Sequence, residues 1–411
     1  MYIKRKLEDT ILKYLNVPEI IAIIGPRQSG KTTILNKIFS KLKKAEYLNF
    51  DDKKVLNLFE NDVDSFREIY VKNFDYLFID EFQYAKNGGS KLKYIFDKNK
   101  QENRKVKIFI SGSSSIDLVV NAVKYLVGRI FIFNLYPLDF EEYLGYCDKK
   151  FLPLFKKGNK CFKNNEKFKI SNEAQVLILK HFDEYTLYGG YPRVVLSKNA
   201  EEKKQVLKNI YNTYFLREVR NVLGLIDDYK LEKLIQALAL QIGNLIDYKE
   251  LSVLSEYSYP TLKKYLNFLE KTFVCSFVRP FYKNKRIEIV KNPKVYFFDT
   301  GLRNYIINDF RLFDERNDLG ALLENVIFEQ LKKNEYNFNY WRTKQRQEID
   351  FILHLAGGHE LALEVKNNYK KSSRSFYAIK SIYKNMNLVI ATRKAIIQEN
   401  NITQYPIFVI G

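Results

Sequence analysis

Apolar residues fall into two registers along the chain. Short, nearly continuous apolar runs at Ile20–Ile24, Asp75–Asp80, Val106–Ser111 and Ile130–Leu135 predict strands buried on both faces, with a shorter strand pattern at Tyr47–Asp52. Between and before them the spacing becomes helical. Leu7, Ile11, Leu12 and Leu15 mark an amphipathic helix over residues 3–15, and Ile34, Leu35, Ile38, Phe39 and Leu42 mark another after the first strand. Strands alternating with helices predict an α/β domain with a mainly parallel sheet, its ligand lying at the carboxyl ends of the strands.

Beyond residue 147 the pattern changes. Asp148–Lys169 is rich in Lys and Asn and predicts an irregular insertion or linker, followed by a helical region broken at Tyr188-Gly189-Gly190-Tyr191-Pro192-Arg193. Arg193 could reach a nucleotide from a lid, loop scaffolding being the plainer reading. Residues 229–246, 249–254 and 259–270 then predict three helices, the last with Pro260 in its first turn and Leu262, Tyr265, Leu266 and Leu269 on one face. Two β segments, Phe273–Pro280 and Ile287–Phe298, complete the order of a winged helix, whose exposed recognition face would carry Lys263 and Lys264.

The chain has 411 residues, enough for several cores, and its 46% hydrophobic content predicts packed domains. Sixty-eight Lys and Arg against 48 Asp and Glu leave a net charge of +20. That surplus favours a polyanionic partner, nucleic acid before membrane, although lysines spread evenly along the chain also fit a general bias in composition. Cys147, Cys161 and Cys275 have neither disulfide nor metal spacing and indicate a reducing compartment. Glu8 and Asp9 fall where a secretion signal needs an apolar core, and no run is long enough to span a membrane. A cytoplasmic protein is expected.

The candidate chemistry begins at Gly25-Pro26-Arg27-Gln28-Ser29-Gly30-Lys31-Thr32-Thr33, which follows the first strand and opens a helix. Glycines at both ends let backbone N–H groups surround a phosphate chain, Lys31 would reach the β- and γ-phosphates, and the Thr32 hydroxyl would take a Mg²⁺ position. The strand ending in Asp80-Glu81 has the Walker B pattern: Asp80 for the metal, Glu81 to orient and deprotonate water. Ser111 or Ser113, at the end of the next strand, could sense the γ-phosphate, and Ser113 to Ser115 could equally cap a helix from Ile116. Arg129 is a candidate arginine finger, acting in cis or on a neighbouring subunit of a homo-oligomer.

A second constellation lies after Gly320. An amphipathic helix over Leu322–Leu331 bears Glu324, and a strand over Phe338–Arg342 follows. Period-two alternation then puts Glu348 and Asp350 on one face of a strand, and Glu364 and Lys366 on one face of the next. A turn at Gly357-Gly358 would place Asp350 opposite Glu364, give or take one residue. Two carboxylates and a lysine converging on a sheet, with Glu324 to complete them, could hold Mg²⁺ and polarise a phosphodiester. A solvated, charged hairpin is the plainer alternative. Helix-Glu, strand-Asp, turn and Glu-x-Lys together resemble the PD-(D/E)xK nuclease core.

The stretches GPRQSGKTT, FIDEFQ, FISGSSS, GR (128–129), GGYPR (189–193), KVYFFDTGLRN (294–304), GALLEN (320–325) and EIDFIL…LEVK, in this order, resemble a widespread group of bacterial and archaeal ATPases. These join an AAA-type module to a C-terminal domain of unknown function with a restriction-endonuclease-like core. The resemblance implies an AAA+-like ATPase domain over 1–147, a linker and helical lid over 148–225, a winged-helix-like domain over 226–300 and a nuclease-like α/β domain over 301–411. It implies ATP and Mg²⁺ as cofactors. The function expected is ATP hydrolysis coupled to action on a partner, DNA first. The alternatives are an ATP-dependent nuclease using Asp350, Glu364 and Lys366, and a slow nucleotide switch acting on a protein partner.

Overall fold

The computed structural model describes residues 2–112, 125–212, 228–369, 374–384, 386–394 and 402–411. The chain divides into two compact units: Met1–Pro137 with Lys271–Phe273, and Leu138–Glu270 with Val274–Gly411.

The first unit is built on five parallel strands: β1 (Ile20–Ile24), β2 (Ala45–Asn49), β3 (Tyr76–Asp80), β4 (Lys107–Gly112) and β5 (Ile130–Asn134). Their order is β2-β3-β4-β1-β5, so β1 lies between β4 and β5, and β4 separates it from β3. Every residue of β1 is buried. Ile21 and Ile23 pack with Ile34, Leu35 and Ile38 of the Lys31–Phe39 helix and with Phe78 and Phe109. The Phe78 and Phe109 rings of neighbouring strands stack with centroids 4.3 Å apart. This buried centre holds the two strand ends that matter for chemistry, those of β1 and β3, in fixed register.

The second unit contains two sheets. Helices Asp228–Leu240, Tyr248–Ser255 and Tyr259–Lys271 precede the antiparallel pair β6 (Cys275–Val278) and β7 (Lys294–Phe297), and Leu245 forms a further antiparallel bridge to Lys294. The larger sheet, ordered β12-β11-β10-β9-β8, comprises β8 (Asn337–Arg342), β9 (Glu348–His354), β10 (Glu360–Lys366), β11 (Asn387–Thr392) and β12 (Thr403–Pro406). β8, β9 and β10 are antiparallel, and β10, β11 and β12 parallel. Trp341, Ile349, Ile352, Ala362 and Ile390 pack with Phe376 and Ile379 of the Arg374–Ile382 helix. Phe328 of the Leu319–Lys333 helix packs against Tyr296 and Phe338.

Two stretches differ from the sequence expectation. Residues 152–163, expected to be irregular, form a helix in which Phe155 and Phe162 are buried and Pro153 sits in the first turn, where its missing N–H costs nothing. Residues 287–290, expected as strand, lie in a short helix, Lys285–Val290: Asn284 accepts the Arg286 N–H at its start, and Ile289 and Val290 are exposed. Local capping outweighs the alternation of isoleucines there. The Gly357-Gly358 turn forms as expected, both residues at positive φ, and the β9–β10 register of Leu363 opposite Phe351 puts Glu364 next to face Asp350. Among the described residues no helix is long and apolar enough to cross a membrane.

Candidate functional site

The turn after β1 is shaped by its backbone. A Cβ on Gly25 would lie 2.1 Å from the Leu135 carbonyl oxygen, so no larger residue fits. Gln28 and Gly30 both take positive φ, 59° and 98°, which turns the chain into the Lys31–Phe39 helix. That helix has no side-chain cap, leaving its first N–H groups for an anion. Pro26 is buried, Arg27 half-buried, and Thr32 and Thr33 are exposed at the helix start. Lys31 is buried, its ammonium donating to the Gly25 and Pro26 carbonyls at 3.0 and 2.9 Å. The Ser29 hydroxyl is fully buried and has no hydrogen-bond partner among the described residues. Arg5 braces the turn, donating to the Ser29 carbonyl and the Tyr136 carbonyl at 2.7 Å each.

Asp80 ends β3 beside this turn and is itself buried. Its Oδ2 accepts the Thr32 hydroxyl at 2.7 Å and the Tyr47 hydroxyl at 2.8 Å. Its Oδ1 accepts the Glu81 N–H at 3.0 Å and the Ser111 hydroxyl. Four donors therefore fix one carboxylate, and burial together with that carboxylate raises the Tyr47 phenol above its ordinary range. Glu81 takes a left-handed backbone conformation, φ 54°, unusual for a side chain of its size, and the Gln83 amide donates to its Oε2. Thr32 and Asp80 in contact, the uncapped helix and the unmatched Ser29 hydroxyl fit a Mg²⁺-bound nucleoside triphosphate. Lys31, Thr32 and the turn's N–H groups would hold it, with Asp80 behind the metal.

The sequence brought Thr32, Asp80, Glu81 and Ser111 into view, and the structure places them together. Ser113 lies outside the described residues. Arg129 requires a correction: it sits at the amino end of β5, its carbonyl accepting the Ile20 N–H at the amino end of β1, whereas the phosphate turn follows the carboxyl end. A five-residue strand, roughly 16 Å, lies between, and the guanidinium bonds to Asp97 at 2.9 Å. The in-cis role is therefore excluded. Arg193 pairs with Glu202 at 2.8 Å. Tyr47 and Arg5 were missed, because each reaches the site from a segment whose own sequence carries only strand or charge signals.

In the second unit the Leu319–Lys333 helix and β9 bring together Glu324, Glu348 and Asp350, with oxygens within 4.8 Å of one another. Lys294, from β7 and 1% exposed, enters this cluster: its ammonium lies 2.8 Å from Glu324 Oε1 and 2.5 Å from Glu348 Oε1. Tyr296 also donates to Glu324 Oε1, Arg342 lies 3.2 Å from Glu348 Oε2, and the Val365 N–H donates to Asp350 Oδ2 at 2.7 Å. Burial, then the Glu324 carboxylate, push Asp350 up to about 8 against the opposing pull of Lys294 and Lys366. Burial alone would lower Lys294, but Glu324, Asp350 and Glu348 hold it above the ordinary range. Glu364, opposite Asp350 in the β9–β10 register, pairs with Lys366 at 2.8 Å. Glu348 and Lys294 join Glu324 and Asp350 in the cluster, which the sequence did not point to. Lys294, 30 residues before Glu324, gave no sequence signal of this position.

The fold and the site of the first unit define an AAA-type P-loop ATPase domain. Residues 17–144 match the family model described as AAA domain, residues 179–312 match a domain of unknown function (DUF8612), and residues 319–409 match another (DUF4143). An uncharacterized protein of Methanocaldococcus jannaschii is 27% identical over 365 residues, 85% of this chain and 76% of the relative. An uncharacterized protein of Haemophilus influenzae is 25% identical over 401 residues, 88% of this chain and 90% of the relative. Among solved structures, a Walker-type ATPase of Pyrococcus abyssi aligns at 15% identity and a TM-score of 0.48, covering 74% of this chain and 96% of that one.

Proposed function

We propose that the protein hydrolyses Mg²⁺-bound ATP and couples the cycle to action on a nucleic-acid partner, DNA first. The observation that carries the reading is the contact of Thr32 with Asp80 beneath the phosphate turn, with Glu81 the next residue. Lys31 and the turn's N–H groups bind the phosphates, Asp80 orients Thr32, and Glu81 accepts the proton of the attacking water. Arg129 is proposed to act only on a neighbouring copy, after leaving Asp97. In the second unit, the order helix, bridge at Leu245, helix, helix, β6, β7 is that of a winged helix. Lys263 and Lys264 are exposed on its third helix, Tyr259–Lys271. The test is ATP turnover with and without duplex DNA, single-stranded DNA and RNA over a salt series, with Lys31→Ala as blank. Stimulation that fades with salt supports the reading; none by any nucleic acid turns it toward a protein partner.

A second reading, an ATP-dependent nuclease, is favoured by the order of the C-terminal elements. A helix bearing Glu324, three antiparallel strands, a helix and a parallel strand follow one another as in the PD-(D/E)xK core. Asp350, Glu364 and Lys366 are its candidate residues. It requires Mg²⁺-dependent cleavage that Asp350→Ala abolishes while ATP turnover persists.

A further inference from the structure

A metal-dependent nuclease core needs its carboxylates open to a divalent ion. Those of Glu324, Glu348 and Asp350 are arranged otherwise, and Lys294 is the reason. Its ammonium touches an oxygen of Glu324 and an oxygen of Glu348 at ion-pair distances, and it is almost completely shielded from solvent. Beyond those two contacts, Glu348 Oε2 faces Arg342, Asp350 Oδ2 accepts the Val365 N–H, and the Tyr296 hydroxyl shares Glu324 Oε1. A buried ammonium with two carboxylate partners is strongly held, since withdrawing it leaves two carboxylates facing each other uncompensated. Mg²⁺ demands octahedral oxygen coordination at about 2.1 Å, and Glu324 Oε1 and both Glu348 oxygens already face a cation. The lysine comes from β7, an element separate from both the helix and the strand that carry the acids.

We propose that the Lys294 ammonium is the resident cation of the Glu324–Glu348–Asp350 cluster, so that the native protein takes no divalent metal there and the cluster is locked by β7. The inference rests on the nuclease-like reading only for the expectation it corrects. A domain so locked works as a binding module unless Lys294 is withdrawn. Withdrawal would need a partner or a movement of β7 that supplies the ammonium with other acceptors.

The test is Mn²⁺ binding by nucleotide-free protein, read by electron paramagnetic resonance of the free ion. Wild type and Asp350→Asn are expected to bind equally, because nothing is held at the cluster. Lys294→Met is expected to bind one further ion per chain at millimolar Mn²⁺, and Lys294→Met with Asp350→Asn to lose it. Wild type binding more than Asp350→Asn overturns the proposal, and so does a folded Lys294→Met that gains no ion. If the Met variant does not fold, the comparison of wild type with Asp350→Asn decides alone, equality supporting the lock and a difference overturning it. The nuclease reading fails separately: metal-loaded Lys294→Met that cuts neither DNA nor RNA refutes cleavage and leaves the lock intact.

Discussion

A single carboxylate, Asp80, organises the first unit's chemistry, because Thr32, Tyr47, Ser111 and the Glu81 N–H all converge on it. Neutralising or removing that acceptor would orphan several donors at once, so Asp80 is a poor residue for separating binding from turnover. Glu81 is a better one. Its carboxylate accepts from Gln83 and stands outside the Asp80 network, and its left-handed backbone marks a strained position directly after Asp80. Glu81→Gln is expected to keep ATP binding and lose turnover by roughly 100- to 10,000-fold, as removal of a general base does. Equal turnover in variant and wild type, measured as phosphate release, would refute the role given to Glu81. Lys31→Ala should instead lose binding itself, seen by titration with a fluorescent ATP analogue. Much of this site was legible in the sequence because its parts are contiguous: a strand, a glycine-bounded turn and a helix within about twenty residues. Tyr47 and Arg5 were not, since their roles come from strand neighbours and a distant backbone rather than from any local pattern.

The sequence marked GGYPR and FFDTGLRN as separate blocks but not what they do at the scale of elements. In the structure they meet: Asp299 accepts the Gly190 N–H at 2.7 Å and caps the Thr300–Ile306 helix through the Leu302 N–H at 2.9 Å. Gly301 lies so close to the Tyr188 carbonyl that a Cβ would sit 1.9 Å from it. These blocks build a junction. Asp299→Ala leaves two buried N–H groups unmatched and is expected to cost about 3 kcal/mol in denaturant unfolding; a loss near zero would contradict the junction. The Leu319–Lys333 helix also works on two sides, with Glu324 in the acidic cluster and Glu329 in a buried network with Lys333, 2.8 Å away, and the Tyr185 hydroxyl. Burial, opposed by Lys333 and aided by Asp299, pushes Glu329 from 4.5 up to about 8. The folded state then binds more protons than the unfolded one between those values. The stabilisation is full below the lower and lost as pH rises through the higher. The unfolding midpoint should fall from about pH 5 to about pH 8, and Glu329→Gln should reduce the slope, leaving the shares of the other raised carboxyls, Asp350 and Asp299. An unchanged slope would place the proton elsewhere.

At the scale of the whole molecule the net charge of +20 was the feature sequence could count but not interpret, since lysines spread by composition and lysines gathered for a partner give the same sum. Position gives the charge meaning. On the Tyr259–Lys271 helix, Leu262, Tyr265, Leu266 and Leu269 turn inward, while Lys263 and Lys264 stay exposed, the Lys263 ammonium lying 4.6 Å from the centre of the Tyr259 ring. An exposed aromatic carrying an ammonium suits a phosphate backbone with bases beside it. Each lysine that neutralises a phosphate adds about 0.9 to the slope of log affinity against log salt on duplex DNA, and about 0.7 on a single strand. Lys263→Ala with Lys264→Ala is therefore expected to weaken binding at low salt, to reduce the slope by about 2, and to converge with wild type at high salt. Fluorescence anisotropy of labelled duplex and single-stranded DNA over a salt series reads all three. A slope unchanged in the double variant removes this helix from the nucleic-acid path even if binding persists. Wild-type affinity independent of salt removes nucleic acid altogether, reduces the charge to composition, and leaves the ATP cycle to act on a protein.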